Sequence, residues 1–236
     1  MKVVVLAAGK GTRMEELTKD KAKVMIDVNG KPFFHYLLKT LEEAGFTEAG
    51  IIVGYKKDTI IDFFGSRYGK LNLTYMEQKE QLGTGHATRT AQDFAGSENF
   101  ILLMADNLYS PRDLKAIAKN DSFCYIAGMV HKNPEKYGVL VKRNGCLERI
   151  EEKPKTFVGN VINTGLYKLT PEIFKALDRI EKSPRGEYEI TDALTLLAKQ
   201  KKVRVFIIQD YWLDFGCKDD IPRIAEFLSK PFKEQK

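Results

Sequence analysis

Only three cysteines, Cys124, Cys146 and Cys217, occur in 236 residues, an odd number widely spaced. They form no disulfide framework and no metal-binding pattern, so a reducing cytoplasm is the expected compartment. The three histidines likewise show no metal-ligand spacing. No apolar run approaches the roughly 20 residues that a membrane-spanning helix needs, so no membrane partner is expected. The chain enters an apolar strand at its second residue, so no secretory leader is expected. No Pro- or Ser-rich linker and no internal repeat divides it. Lysine and arginine outnumber aspartate and glutamate by 38 to 32, a formal charge of +6. That modest excess fits a phosphate-rich substrate, but no basic stripe or recognisable module marks a nucleic-acid binder.

What is present begins at the first residues. Lys2-Val3-Val4-Val5-Leu6-Ala7-Ala8 is an apolar, β-branched run that stops at Gly9-Lys10-Gly11-Thr12-Arg13-Met14. The run reads as a buried first strand of a parallel sheet. The glycines let backbone N–H groups come close to an anion, and Arg13 offers a planar fork of donors suited to phosphate. Such a loop at the carboxyl end of a strand lies where open α/β sheets bind ligands. It is not the dinucleotide fingerprint, because Met14 stands where a third glycine is needed, and it lacks the spacing of a P-loop. A second group of cations follows at Lys19, Lys21 and Lys23.

A hydrophobic fraction of 43% suits a globular core. Strand-like and helix-like segments alternate through the first half. Strands are predicted at Val3–Leu6, Ile51–Val53, Leu71–Tyr75 and Phe100–Met104. Helices are predicted at Phe33–Ala44, Thr59–Phe64, Thr84–Phe94 and Arg112–Lys119. This alternation predicts an α/β fold, a Rossmann-like, mostly parallel twisted sheet flanked by helices. The second half is richer in strands: Cys124–Val130, Val139–Lys142, Leu147–Glu151, Val161–Leu169 and Val203–Ile207, with helices at Pro171–Leu177, Ile190–Lys199 and Asp219–Leu228.

Further motifs follow the opening in order. They are Lys23-Val24-Met25, Gly30-Lys31-Pro32, Gln78 with Leu82-Gly83-Thr84-Gly85-His86-Ala87, Ala105-Asp106-Asn107 and Tyr137-Gly138-Val139. After these come Glu152-Lys153-Pro154, Asn163-Thr164-Gly165, Gly186-Glu187-Tyr188-Glu189-Ile190-Thr191-Asp192 and Trp212-Leu213-Asp214-Phe215-Gly216. The ordered set resembles the sugar-1-phosphate nucleotidyltransferase family over almost the whole chain. The resemblance implies a single nucleotidyltransferase domain: a nucleotide-binding half at 1–120, a strand-rich sugar-phosphate-binding half at 121–228 and a polar tail at 229–236. Some members of that family carry a C-terminal β-helix of hexapeptide repeats, for which this chain ends too soon.

The resemblance also implies roles. Arg13 matches the arginine that holds the triphosphate, and Lys23 the lysine that neutralises phosphate oxygens at the reacting centre. Asp106 and Asp214 match a metal pair; hard carboxylate ligands over a triphosphate imply Mg²⁺ as cofactor. Gln78 and Gly83 match the base-reading pair. An amide offers a donor and an acceptor to the imide edge of uracil or thymine. Backbone groups of Leu6, Ala7, Ala8 and Gly9 would meet base and ribose, with Gly11, Thr12 and Thr84 completing the nucleotide site. Gly138, Glu152, Lys153 and Asn163 match the sugar-phosphate contacts. Two departures stand out: Ala22 replaces the usual proline before the lysine, and Ala105 the usual glycine before the first aspartate.

The activity implied is transfer of a nucleotidyl group from UTP or dTTP to a sugar 1-phosphate, glucose 1-phosphate being modestly favoured, with release of pyrophosphate. The thymine methyl is worth only about 1–3 kcal/mol of discrimination in a pocket. The alternatives are another phosphorylated acceptor, such as N-acetylglucosamine 1-phosphate, mannose 1-phosphate or phosphocholine, and a nucleotide-sugar-binding regulator without turnover. A homo-oligomer is compatible with the composition.

Overall fold

The structure, a computed structural model, describes residues 1–230. Of the polar tail expected at 229–236, residues 231–236 lie outside the described residues. A ten-stranded sheet forms the centre. Its order is Gly138–Arg143, Cys146–Glu152, Val203–Ile207, Cys124–Val130, Val161–Leu169, Phe100–Met104, Lys2–Ala7, Glu48–Val53, Leu71–Glu77 and Arg67–Tyr68. The opening strand lies between Glu48–Val53 and Phe100–Met104 and is parallel to both.

The sheet is mixed rather than mostly parallel. Glu48–Val53 is parallel to Leu71–Glu77, and Val203–Ile207 to Cys124–Val130, but the other pairings are antiparallel. The reason is local. Between Gly138–Arg143 and Cys146–Glu152 stands Asn144-Gly145, with φ of 51° and 78°. Two positive-φ residues form the tight turn of a hairpin, which forces an antiparallel pair and leaves no room for a crossover helix. Val139 also pairs with Ile162 and Cys146 with Arg204, so five strands of this half close into a ring.

Apolar side chains cover both faces of the sheet. Along the opening strand Val3, Val5 and Ala7 enter one core, and Val4 and Ala8 the other. This is the period of two expected for a strand buried on both sides. Helix Phe33–Glu43 covers the first face with Phe33, Phe34, Leu37, Leu38 and Leu41, all fully buried. Each such side chain contributes about 1.5–3 kcal/mol by burial. The helix stops at Gly45, whose φ is 88°. Helix Ile190–Lys199 covers the second face with Ala193, Leu194 and Leu197. The helix expected over Thr84–Phe94 is broken into Thr84–Thr90 and Gln92–Ala95. The break falls at Ala91, whose N–H donates to the Thr88 carbonyl at 3.1 Å. Among the described residues no helix is long and apolar enough to cross a membrane.

One charge lies wholly inside. The Lys168 ammonium donates to the Asp121 carbonyl at 2.7 Å, the Phe123 carbonyl at 2.8 Å and the Asp121 carboxylate at 3.1 Å. Partial burial works against ionisation of Asp121, but hydrogen bonds from Tyr125 and Lys168 hold it below its ordinary range. Replacing Lys168 with Met strands two backbone carbonyls, a loss of about 2 kcal/mol. We expect Lys168→Met to lower Tm by roughly 4–8 °C in a thermal melt while leaving nucleotide affinity unchanged. An unchanged Tm would contradict the clamp.

Candidate active site

The glycine loop is built by steric necessity. Gly11 sits in the left-handed region at φ 64°, ψ 38°, and starts the 3-10 helix Thr12–Thr18. A Cβ on Gly11 would lie 2.8 Å from Cβ of Lys23. Only glycine lets the loop cross so closely over the lysine. Met14, fully buried, anchors the loop from below, and its N–H donates to the Gly11 carbonyl at 2.8 Å. Ala22 has φ −62°, the value proline would impose, so the departure from proline leaves the backbone path intact. Its N–H, which proline lacks, donates to Thr59 Oγ1 at 3.2 Å.

The acidic centre joins distant parts of the chain. Asp106 follows Phe100–Met104 by two residues. Just beyond it Asn107–Tyr109 pairs antiparallel with Trp212–Asp214, with Asn107 opposite Asp214. The Phe215 N–H donates to the Asp106 carbonyl at 2.9 Å. Lys23 Nζ reaches Asp106 Oδ2 at 2.7 Å, with only 10% of the lysine side chain exposed. Asn107 Nδ2 donates to the other oxygen, Oδ1, at 3.0 Å. Burial, and then the charge of Asp106, push Asp214 up to about 6, against the pull of Lys23 and more weakly Arg13. Asp106, Asp214, Lys23 and Arg13 thus share one field. Tyr109, fully buried and held far above its usual range by that burial, stays protonated and donates to the Thr164 carbonyl at 2.5 Å.

These groups open on a cleft of about 430 Å³ lined by Leu6, Ala7, Ala8, Gly9, Gly11, Thr12, Arg13, Lys23, Gln78, Gly83, Thr84 and Asp106. Asp214 stands behind this lining, next to Gly216. Several residues have more than one task. The Gln78 amide donates to the Gly83 carbonyl at 3.1 Å and meets His86 Nδ1 at 2.9 Å, so it also ties down the base loop. Gly83, at φ 98°, has a structural requirement of its own: a Cβ would lie 2.6 Å from the Tyr188 carbonyl. Two backbone bonds, Gly85 N–H to the Tyr188 carbonyl and Tyr188 N–H to the Leu82 carbonyl, hold that contact. The Thr84 hydroxyl accepts from Ile190 N–H at 3.1 Å and so caps helix Ile190–Lys199. Gln81 lines the cleft and was in none of the motifs, while Glu187 lines it from a motif that was given no site role. Gln81 Nε2 crosses to the Ala8 carbonyl at 2.7 Å. Its position three residues after Gln78 was the available signal.

The four expected sugar-side residues meet one another but do not line this cleft. Gly138 pairs with Glu152, and a Cβ on Gly138 would lie 2.8 Å from Glu152 Oε2 and 3.9 Å from Asn163 Cβ. Lys153 turns the chain at φ 45°, its N–H bonded to the Tyr137 carbonyl at 3.0 Å. The Asn163 amide is engaged within its own strand, donating to the Tyr167 hydroxyl at 2.9 Å and accepting from Gly165 N–H at 3.0 Å. Gly165, at φ 75°, presses on Met104, which lines the cleft, so the two groups are contiguous.

A glycine loop over a buried lysine paired with a half-buried aspartate, with a second carboxylate nearby, set at the carboxyl edge of parallel strands, is the arrangement of a nucleotide-handling, phosphoryl-transfer centre. The chain belongs to the nucleotidyl transferase family, whose model matches residues 2–230. It is 36% identical over 228 residues to the UTP–glucose-1-phosphate uridylyltransferase AglF of Haloferax volcanii, covering 93% of each chain. It is 35% identical over 231 residues to the bifunctional protein GlmU of Methanocaldococcus jannaschii, covering 97% of this chain but 54% of that protein. The chain therefore spans about half the length of that relative. A solved UDP-glucose pyrophosphorylase complexed with UDP-glucose superimposes with a TM-score of 0.85 at 27% identity, over 95% of this chain and 97% of that one.

Gly11→Ala tests the loop. A left-handed alanine costs about 1–2 kcal/mol, and the clash with Lys23 displaces the lysine from Asp106. The expected outcome is a lower Tm together with nucleotide binding weakened beyond what the Tm loss explains, measured by calorimetry. Wild-type affinity at a lowered Tm would show that the crossing over Lys23 has no part in binding.

Proposed function

We propose that this chain transfers a uridylyl or thymidylyl group to a sugar 1-phosphate, with glucose 1-phosphate the favoured acceptor, and releases pyrophosphate. One observation carries the reading. Lys23 and Asp106, 2.7 Å apart, stand under the glycine loop in the same cleft as Gln78 and Gly83. A charge-neutralising centre and the two residues expected to meet the base thus share one pocket.

In this reading a phosphate oxygen of the sugar 1-phosphate attacks the α-phosphorus in line. The bond from that phosphorus to the oxygen bridging to the β-phosphorus breaks, and pyrophosphate leaves with the electron pair. The attacking phosphate is already ionised, so no general base is required. The work is to bring two anions together and hold them aligned. Lys23 neutralises oxygens at the reacting phosphorus. Arg13, exposed at the mouth of the cleft, stabilises the growing charge on pyrophosphate. Backbone groups of Leu6 to Gly9 border the nucleoside. Glu152 and Asn163 accept and donate to sugar hydroxyls, with Lys153 on the sugar phosphate.

A Mg²⁺ ion fits the donor set. Among the described residues no cluster of three or more His, Cys, Asp and Glu side chains forms a closed metal cage. Two carboxylates, with water and phosphate completing the shell, suit Mg²⁺. Asp214 is pushed up by burial and then by the charge of Asp106, both of which disfavour its charged form, and a bound cation would favour that form. Asp106 and Asp214 would hold the ion, and it would supply charge neutralisation for phosphate oxygens. The three free thiols fit a cytoplasmic setting for this chemistry.

Pyrophosphate release across a grid of nucleoside triphosphates and sugar 1-phosphates with Mg²⁺ tests the reading. Turnover with UTP or dTTP and glucose 1-phosphate is expected. Turnover with N-acetylglucosamine 1-phosphate alone would move the acceptor to the bifunctional relatives' side, and silence across the grid would overturn the reading. Asp106→Asn should abolish turnover while the protein stays folded; normal turnover at limiting Mg²⁺ would remove the metal assignment.

The Asp214 shift gives a pH dependence with a definite sign. Its folded pKa, about 6, lies above the ordinary 3.8, so the protonated form favours the metal-free native state. That stabilisation is full below 3.8 and is lost as pH rises through about 6. Asp214→Asn is therefore expected to stabilise the metal-free protein at pH 7.5, on the order of 1–2 kcal/mol, while weakening divalent-cation binding. Denaturant melts with and without Mn²⁺ check both halves, and a destabilised metal-free variant would contradict the assignment.

A further inference from the structure

Asp106 is held by more than Lys23. Its Oδ1 accepts from Asn107 Nδ2 at 3.0 Å, and Asn107 Oδ1 in turn accepts from the Trp212 indole N–H at 2.7 Å. Asn107 is buried, with 6% exposed. The direction of its amide follows from chemistry. An indole N–H can only donate, so it selects the orientation in which the amide oxygen faces the ring and the NH₂ faces the carboxylate. With the amide reversed, two donors would face each other on one side and two acceptors on the other.

We propose that Asn107 and Trp212 are positioning residues that aim the Asp106 carboxylate. The indole sets the Asn107 amide, and the amide leaves Asp106 Oδ2 as the oxygen turned toward Lys23. The inference deepens the nucleotidyl-transfer reading above and rests on it for its kinetic consequence.

The elements that bear these residues support the arrangement. Trp212 and Asp214 belong to one short strand, and Asn107 lies opposite Asp214 on its partner. One ladder therefore carries Asn107, Trp212 and Asp214, and Asp106 directly precedes it. Asp113, also buried, clamps the turn that leads into the Trp212 strand. Its carboxylate accepts from Gln209 N–H at 2.9 Å and Asp210 N–H at 3.0 Å. On its far side the indole meets Tyr137 edge to face, centroids 5.9 Å apart. Tyr137 directly precedes Gly138, so the relay reaches from the expected sugar side to the acidic centre.

Trp212→Phe is the direct test. It keeps an aromatic ring against Tyr137 and removes the N–H donor. Loss of a partner that orients a metal ligand typically costs about 10–100-fold in metal affinity or activity. For Trp212→Phe we expect Mn²⁺ affinity, read from the free-ion electron paramagnetic resonance signal with protein alone, to fall roughly 10-fold. We expect kcat to fall by a similar factor while KM for the nucleotide stays within about threefold and Tm within a few degrees. Asn107→Leu should show at least the same loss, and the double variant no more than Asn107→Leu, because the two act in series. Mn²⁺ affinity within about twofold of wild type in Trp212→Phe would overturn the proposal. So would a loss in which KM and Tm change along with kcat, as a packing defect gives. Should Asn107→Leu fail to fold, Trp212→Phe decides alone. A wild-type protein that binds Mn²⁺ but transfers no nucleotidyl group would overturn the reading of the reaction, and the Mn²⁺ comparison would still test the aim of Asp106.

Discussion

The structure turns on one ion pair. Lys23 and Asp106 meet at 2.7 Å, the lysine side chain almost wholly removed from water. Taking the ammonium out of water is expensive, and its attraction to the Asp106 carboxylate, whose side chain stays 33% exposed toward the cleft, offsets that cost only when geometry is held closely. Much of the surrounding architecture holds it. Gly11 passes over the lysine stem where any side chain would collide. The Phe215 ring lies 5.9 Å from the ammonium and stacks on Phe33 of the first long helix. The Phe215 N–H fixes the Asp106 backbone from the other side. A cation so placed is already desolvated and oriented when a phosphate arrives, which is the condition for strong electrostatic stabilisation.

The two halves of the sheet contribute differently to this centre. The parallel strands deliver loop ends to one edge: the glycine loop after Lys2–Ala7, and Asp106 after Phe100–Met104. The antiparallel half delivers residues along its strands instead, so Gly138, Glu152 and Asn163 gather by cross-strand pairing. The join is the short ladder of Asn107–Tyr109 with Trp212–Asp214. It brings a strand from late in the chain beside the first carboxylate and thereby sets the second. Asp214 is raised first by its burial and then by the charge of Asp106, so the two carboxylates feel one another across this join.

Much of this was legible in the sequence where local rules decide. The opening strand, the helix ended by Gly45 and the strand that stops before Asp106 follow from apolar spacing and glycine placement. The motif order located the cleft: the glycine loop, Lys23, Gln78, Gly83, Thr84 and Asp106 all line it. What was not legible depends on partners remote in sequence. Gly83 must be glycine because Tyr188 packs on it, and Thr84 caps a helix that begins at Ile190. The amide of Asn163 is engaged by Tyr167 and Gly165, so its geometry follows from a strand irregularity rather than from residue type. The antiparallel half was within reach, since Asn144-Gly145 is a hairpin turn by composition, but strand order is set by packing that no local signal carries. The broken helix shows the same limit in reverse: the apolar spacing continues to Phe94, while the helix breaks at Ala91.

The most direct test of the account is a single-turnover measurement with UTP labelled at the α-phosphate and glucose 1-phosphate, comparing the wild-type protein with Lys23→Met. The account predicts that label appears in UDP-glucose with the wild type and at least about 100-fold more slowly with the variant, while UTP affinity falls by less than about tenfold. Transfer at the wild-type rate by Lys23→Met would contradict it, because the charge at the centre of the fold would then have no part in the chemistry.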